Sequence, residues 1–322
     1  MKRMRVLGLL MLCTAAANAA NCDRACLKNM LTTYLNALVA QDPSKVPLDA
    51  KVRFTEDSKD LKVGEGFWKT ATKLGNYRQD FIDVKEQVAA THVIVEESGK
   101  PAMFTARIKV AKGKITEIET LVTHGGDRMG GNAGNLVVRP DMGVEPPASQ
   151  KNKRADLIKI ADHYPRGLTL GGFDKVDTPF STDAFRIENG SVMAGPGCGR
   201  GGPGGPAGQA KGPGPAPATP KGAGKAKGAQ DVAGCLNMKT QGIIEHPTLT
   251  KSIVAVDEEQ GIVLMWMNFG DTGNYGEGNA LVVFEAFKAY GDQLRVVQAF
   301  MKVLPKDTKR GWGTTVKGAD KY

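Results

Sequence analysis

The sequence predicts an α+β protein made of two tandem copies of one unit. Three observations carry that reading. An apolar helical face opens each half of the chain, runs of strand-like residues close each half, and the segments of the two halves correspond in order. Helices first and strands afterwards exclude the alternation of a doubly wound sheet. The chain has 322 residues, room for two domains at about 100–200 residues each. With 41 % hydrophobic and 24 % charged residues it is not a wholly disordered chain.

The amino terminus reads as an export leader over residues 1–19. Lys2, Arg3 and Arg5 precede the apolar stretch Val6 to Cys13, and a small-residue tail follows, with Ala17-Asn18-Ala19 placing cleavage before Ala20. Leu12, ahead of Cys13, is too large for a lipobox. A periplasmic or secreted protein is expected, with no transmembrane segment. Export makes disulfides the expected use of Cys22, Cys26, Cys198 and Cys235. Four cysteines allow three pairings, of which Cys22–Cys26 and Cys198–Cys235 are favoured. Cys-x3-Cys with a distant pair is poor zinc spacing, so no metal is expected.

The first copy, 20–124, opens on a helical face of Leu27, Met30, Leu31, Tyr34, Leu35 and Leu38. Asp42-Pro43 ends it, and Val52 to Asp57 reads as a strand. Gly64 to Ala71 carries a short helical signal with Trp68. Val93 to Gly99 is a strand running into a turn. Phe104–Val110 and Ile115–Val122, around Lys112-Gly113-Lys114, form a hairpin pattern.

Residues 125–153, rich in Gly, Pro and Asn, read as a linker. The second copy, 154–305, repeats the order. Leu157, Ile160, Ala161, Tyr164 and Leu168 form the helical face, and Phe185 to Gly190 the first strand. Val254 to Gly261 is matched to Val93 to Gly99. Ala280–Ala289 and Gln293–Leu304, around Tyr290-Gly291-Asp292, form the final hairpin. The alignment sets Tyr34 against Tyr164 and Arg53 against Arg186. Residues 195–230 read as a disordered insertion, and 306–322 as a tail.

The net charge of +9 shrinks once it is located. Three of the cations belong to the leader, and Arg200, Lys211, Lys221, Lys225 and Lys227 lie in the insertion. The folded parts are close to neutral and the sequence shows no basic face studded with aromatics, so nucleic acid is not an expected partner. A Gly-x-Ser-x-Gly elbow, a phosphate loop and a His-Glu-x-x-His pair are all missing from the sequence.

Cys22 to Leu27, Val52 to Glu56, Gly64 to Ala71 and Ile115 to Glu119 resemble a family of exported bacterial and fungal proteins. Their unit is similar to the nuclear transport factor 2-like, SnoaL-like or ketosteroid-isomerase-like cone fold. The resemblance covers about 22–123 well and 155–304 more loosely. It implies two cone-shaped α+β barrels, each with helices packed on a curved antiparallel sheet around an apolar hollow. Relatives of this fold include isomerases, cyclases, dehydratases, lyases and binding proteins, so fold alone does not decide function.

Within that frame the candidate catalytic residues are Glu56, Tyr34 and His163. Glu56, in an apolar hollow, would titrate near neutrality and move a proton. Tyr34 or Tyr77 would donate to a developing oxyanion. Arg53, Trp68, Tyr77 and Arg78 are the binding candidates of the first copy. Tyr164, Arg186, Glu188 and His246, with Asn189, are those of the second. The expected activity is a cofactor-independent lyase, isomerase or dehydratase acting on a small, partly apolar molecule, aromatic or polyketide-like. A non-catalytic exported binding or envelope-interaction protein is the alternative, and self-association into a homo-oligomer stays open.

Overall fold

A computed structural model describes residues 21–136, 140–196, 198 and 237–322. The leader, nearly all of the 195–230 insertion and Cys235 lie outside the described residues.

Asp23 caps the first helix, accepting from the Cys26 amide at 2.8 Å. Helix α1 (Arg24–Val39) buries Leu27, Leu31, Tyr34, Leu35 and Leu38, and a 3-10 turn at Pro43–Lys45 follows it. The strands are β1 (Leu48–Glu56), β2 (Lys59–Leu61), β3 (Ala71–Asp83), β4 (Val88–Glu97), β5 (Lys100–Ala111) and β6 (Lys114–His124), with a 3-10 turn at Gly66–Lys69. They form one sheet in the order β2-β1-β6-β5-β4-β3.

A short helix, α2 (Pro140–Gly143), lies in the connection, and α3 (Arg154–Leu170) opens the second unit. Its strands are β7 (Phe180–Glu188), β8 (Ser191–Ala194), β9 (Thr250–Asp257), β10 (Ile262–Asn268), β11 (Asn279–Tyr290), β12 (Gln293–Pro305) and β13 (Val316–Lys317). The order is β13-β9-β10-β11-β12-β7-β8. Without β13 this is the first sheet repeated, so the chain holds two mixed-sheet units in tandem.

Three expectations are corrected. The sheets are not wholly antiparallel, because β1 runs parallel to β6, and β7 parallel to β12. The counterpart of β9 is β3, not the strand Val93 to Gly99; β4 answers to β10. Arg53 and Arg186 are not equivalent. Glu56 pairs with Thr120 as Glu188 pairs with Ala299, and the Asp57 carboxylate accepts from Val122 N as the Asn189 amide oxygen accepts from Met301 N. That register sets Arg186 against Phe54, and a slip of one residue in a strand reverses the side a residue faces.

Each helix packs on one face of its own sheet. Leu27, Leu31 and Leu35 meet Phe104, Ile108 and Ile118 in the first core. Leu157, Tyr164 and Leu168 meet Met265, Val283 and Phe287 in the second. The outer faces of the two sheets stack on each other, with Phe81, Ala90 and Leu121 of the first against Trp266, Phe284 and Val296 of the second.

A reciprocal clasp locks this junction. Asp83, at the end of β3, accepts from Arg154 Nη2 at 2.7 Å and from Val256 N at 2.8 Å. Asp257, at the end of β9, accepts from Arg24 Nη1 at 2.8 Å and from Ile82 N at 2.9 Å. Each helix therefore reaches from its own first turn to the opposite sheet.

The segment 306–322 straps across both units. Arg310 makes a buried two-pronged pair with Glu119, at 2.9 and 2.8 Å, and also holds Ser252 Oγ at 2.7 Å. Trp312 Nε1 donates to Thr55 Oγ1 at 2.9 Å. A Cys22–Cys26 disulfide tacks the chain at the start of α1. Cys198 is disulfide-bonded. No helix among the described residues is long and apolar enough to cross a membrane.

Candidate functional site

The core of the first unit brings together Tyr34, Glu56 and Trp68. Tyr34 comes from the middle of α1, Glu56 from the inward end of β1, and Trp68 from the 3-10 turn that follows β2. The Tyr34 and Trp68 rings meet edge to face at 5.4 Å. Tyr34 is fully buried and Trp68 is 1 % exposed, and the phenol and the indole N–H lie close enough to interact with each other, while neither meets a hydrogen-bond partner of good geometry. Orphaned buried donors are rare in native proteins.

Both oxygens of Glu56 face the Phe67 amide at 3.1 Å. Burial pushes its carboxyl up to about 7, against the opposing pull of that amide. Gly66 makes the approach feasible: its φ is +63°, and a Cβ there would lie 2.3 Å from Glu56 Oε1.

The matching place in the second unit is built differently. Tyr164 occupies the Tyr34 position, Arg186 stands where the first unit has Phe54, and Glu285 stands where it has Ala106. Arg186 Nη1 donates to Tyr164 Oη at 3.1 Å, and its Nε lies 3.0 Å from Glu188 Oε1. Glu285 is 2 % exposed, and its Oε2 has no hydrogen-bond partner. Burial first, then the charge of Glu188, pushes its carboxyl up to about 8. His246 stacks at 6.2 Å on Tyr275 beside this network, and burial lowers its imidazole to about 4. In the second unit the Tyr164 phenol is thus held by Arg186, whereas in the first the Tyr34 phenol meets only Trp68.

Five candidates fall outside these two clusters. Arg53 points outward, pairs with Asp60 at 2.8 Å and lies 4.2 Å over the Trp312 ring. Tyr77 faces the junction, where Gln298 of the second unit donates to its hydroxyl, because the register of β3 shifts between Leu74 and Arg78. Arg78 pairs with Asp80 at 2.8 Å and donates to Thr32 at 2.9 Å. His163 stands apart from the Tyr164–Arg186 pair, with Nδ1 at 2.9 Å from Val176 O. Asn189 is a turn residue whose amide fixes Met129 and Met301.

Glu285 is the site residue that sequence reasoning missed. Its signal was a lone acid inside the apolar run Ala280 to Ala289. Among the described residues, no cluster of three or more His, Cys, Asp or Glu side chains is arranged to hold a metal ion.

The model of the family described as a domain of unknown function, DUF8021, matches residues 20–122 and again 150–301, and the chain belongs to that family. No curated protein matches it. Among solved structures it is similar to an NTF2-like protein of unknown function from Cytophaga hutchinsonii, at 12 % identity over 30 % of this chain and 88 % of that one, with a TM-score of 0.22. Another, from Burkholderia xenovorans, shares 12 % identity over 31 % of this chain and 84 % of its own, with a TM-score of 0.25. A third, from Shewanella baltica, shares 10 % identity over 30 % of this chain and 91 % of its own, with a TM-score of 0.23.

Proposed function

We propose that this member of the DUF8021 family is an exported acid–base enzyme, a lyase, isomerase or dehydratase, whose reaction takes place at Tyr34, Glu56 and Trp68 of the first unit. One observation carries the reading: the buried Tyr34 phenol and Trp68 indole N–H, poorly aligned with each other and without any other partner, lie beside a carboxyl poised near neutral pH. A general base is most effective when its pKa lies close to the working pH, and Glu56 meets that condition.

The chemistry needs a small substrate with a carbonyl oxygen and an acidic C–H next to it. The Tyr34 hydroxyl and Trp68 Nε1 donate to the carbonyl oxygen. Glu56 removes the neighbouring proton, and the electron pair moves onto that oxygen as an enolate, where the two donors stabilise it. Return of the proton from Glu56 to another carbon gives an isomerase. Expulsion of a β-substituent, protonated by Glu56, gives a lyase or dehydratase. Phe54, Phe67 and Phe104 supply the apolar walls that keep the Glu56 carboxyl high and select a partly apolar substrate.

A screen of small carbonyl compounds against the exported protein, read by mass spectrometry and by deuterium uptake from solvent, tests this. Turnover and exchange are expected to fall at least about a hundredfold in Glu56→Gln, in line with the loss of a general base. Full activity in Glu56→Gln, or loss only in Glu285→Gln, would overturn the assignment. A ligand retained unchanged after long incubation would instead support a binding protein, the reading that the self-paired Arg186–Tyr164 contact of the second unit favours.

A further inference from the structure

The turn after β1 carries a charge that its counterpart in the second unit does without. Asp57 has a φ of +50°, its N–H donates to Thr120 O at 2.9 Å, and its Oδ1 accepts from Val122 N at 3.1 Å. Asn189, after β7, has a φ of +42°, donates from its N–H to Ala299 O at 3.0 Å and accepts from Met301 N at 2.9 Å. Both residue types tolerate this left-handed backbone. A neutral amide therefore builds the same turn, and the turn itself does not require the charge of Asp57.

The group that answers this charge comes from the other unit. Lys302, on β12, places its Nζ 2.6 Å from Asp57 Oδ2 and 3.9 Å from Asp127 Oδ2. The Lys302 and Asp57 side chains are 18 and 20 % exposed, so water screens the pair only in part. Lys302 is not repeated either, because the matched amides of Val122 and Met301 set Thr123 in its place on β6. Anion and cation thus occur together, next to the unit that holds Glu56. We propose that Lys302 is a positioning residue for Glu56, supplied by the second unit, which cancels the Asp57 charge beside the carboxyl that acts as base. The inference rests on the reading of Glu56 as that base.

The charges around Glu56 come from several elements. Burial acts most strongly on its carboxyl and the Phe67 amide opposes it; among the charged groups, Asp57 and Glu97 push it up and Lys302 pulls it down. Glu97, at the end of β4, lies 2.7 Å from His124 Nε2, and Asp127 lies 3.6 Å from His124 Nδ1. Tyr34, from α1, stays neutral, since burial raises its phenol far above the usual range. Without Lys302 the Asp57 and Glu97 carboxylates would act on Glu56 without the cation that offsets them. Glu56 would then keep its proton to higher pH, and less of the base would be present at neutrality.

A carbon-13 titration of the whole protein, labelled at its glutamate carboxyls and with Glu56 assigned through Glu56→Gln, tests this. Lys302→Met keeps the apolar stem and should raise the Glu56 midpoint by about half a pH unit or more, the scale of one partly screened charge nearby. Asp57→Asn copies the arrangement at Asn189 and should lower the midpoint by a similar amount. The double variant should return it to the parent value, and Lys302→Arg should leave it there. Circular dichroism checks that each variant is folded. The shifts are read on Glu56 itself without any substrate, so a failed search for turnover bears on the reaction and not on Lys302. A midpoint unmoved in Lys302→Met, or one that stays as high in the double variant, would overturn the proposal.

Discussion

Replacing Asp83 by Asn probes the junction on which the whole molecule turns. The native carboxylate is 1 % exposed and receives both guanidinium nitrogens of Arg154, at 3.0 and 2.7 Å, together with Val256 N at 2.8 Å. Asparagine keeps the shape but sets an NH2 group against donors and leaves the guanidinium without its anion. Breaking one side of a buried pair costs about 3–5 kcal/mol. Arg154 is 17 % exposed and has Glu258 at 3.7 Å as a second partner, which places the expected loss near the lower bound, about 3 kcal/mol. Spread over a chain of this size, that lowers Tm by about 5 °C. Urea unfolding followed by tryptophan fluorescence and by far-UV circular dichroism measures it. Because Trp68 reports on the first unit and Trp266 on the second, the variant should also show the units separating into two transitions. Asp257→Asn should behave alike, since its partners are arranged in the same way. A loss below about 1 kcal/mol, or no coupling between Asp83→Ala and Arg154→Ala in a double-mutant cycle, would refute the reasoning.

Glu285 is stable in the fold as the neutral acid, so its contribution is complete below the ordinary carboxyl pKa and disappears as pH rises through about 8. Glu285→Gln should therefore gain stability relative to the parent between pH 5 and 9, read from urea midpoints along a pH series. Gly66→Ala would set a Cβ 2.3 Å from Glu56 Oε1 at a φ of +63°, and should cost about 1–3 kcal/mol in denaturant unfolding. Arg310→Ala removes both prongs on Glu119 and should expose 306–322 to limited proteolysis while lowering stability by about 3 kcal/mol.

The helical faces of α1 and α3, the Tyr34–Tyr164 match and the final hairpins were legible, because they rest on side-chain period and turn chemistry within single segments. The parallel pairing of β1 with β6 was not, since its partners are separated by the rest of the unit and leave no local pattern. The Arg53–Arg186 match failed for a related reason. Both first strands change register partway, between Leu48 and Arg53 and between Phe180 and Phe185, and a shift of that kind is invisible to a plain alignment. Tyr77 was misplaced by the irregularity in β3 for the same cause. Of the candidate site, Tyr34, Glu56 and Trp68 were readable as polar groups in apolar surroundings. The Asp83 and Asp257 clasp was hidden because each aspartate does its work on the far unit, although both stand at matching strand ends.

A pair of identical subunits related by a two-fold axis must accept every substitution twice, so a charge admitted to one cavity is admitted to its twin. Joining the halves in one polypeptide lifts that constraint while the Asp83 and Asp257 contacts preserve the symmetric embrace. One half is then free to take an arginine and an acid where the other retains phenylalanine and alanine. Inherited asymmetry of this sort is what a fused duplicate permits and a homodimer forbids.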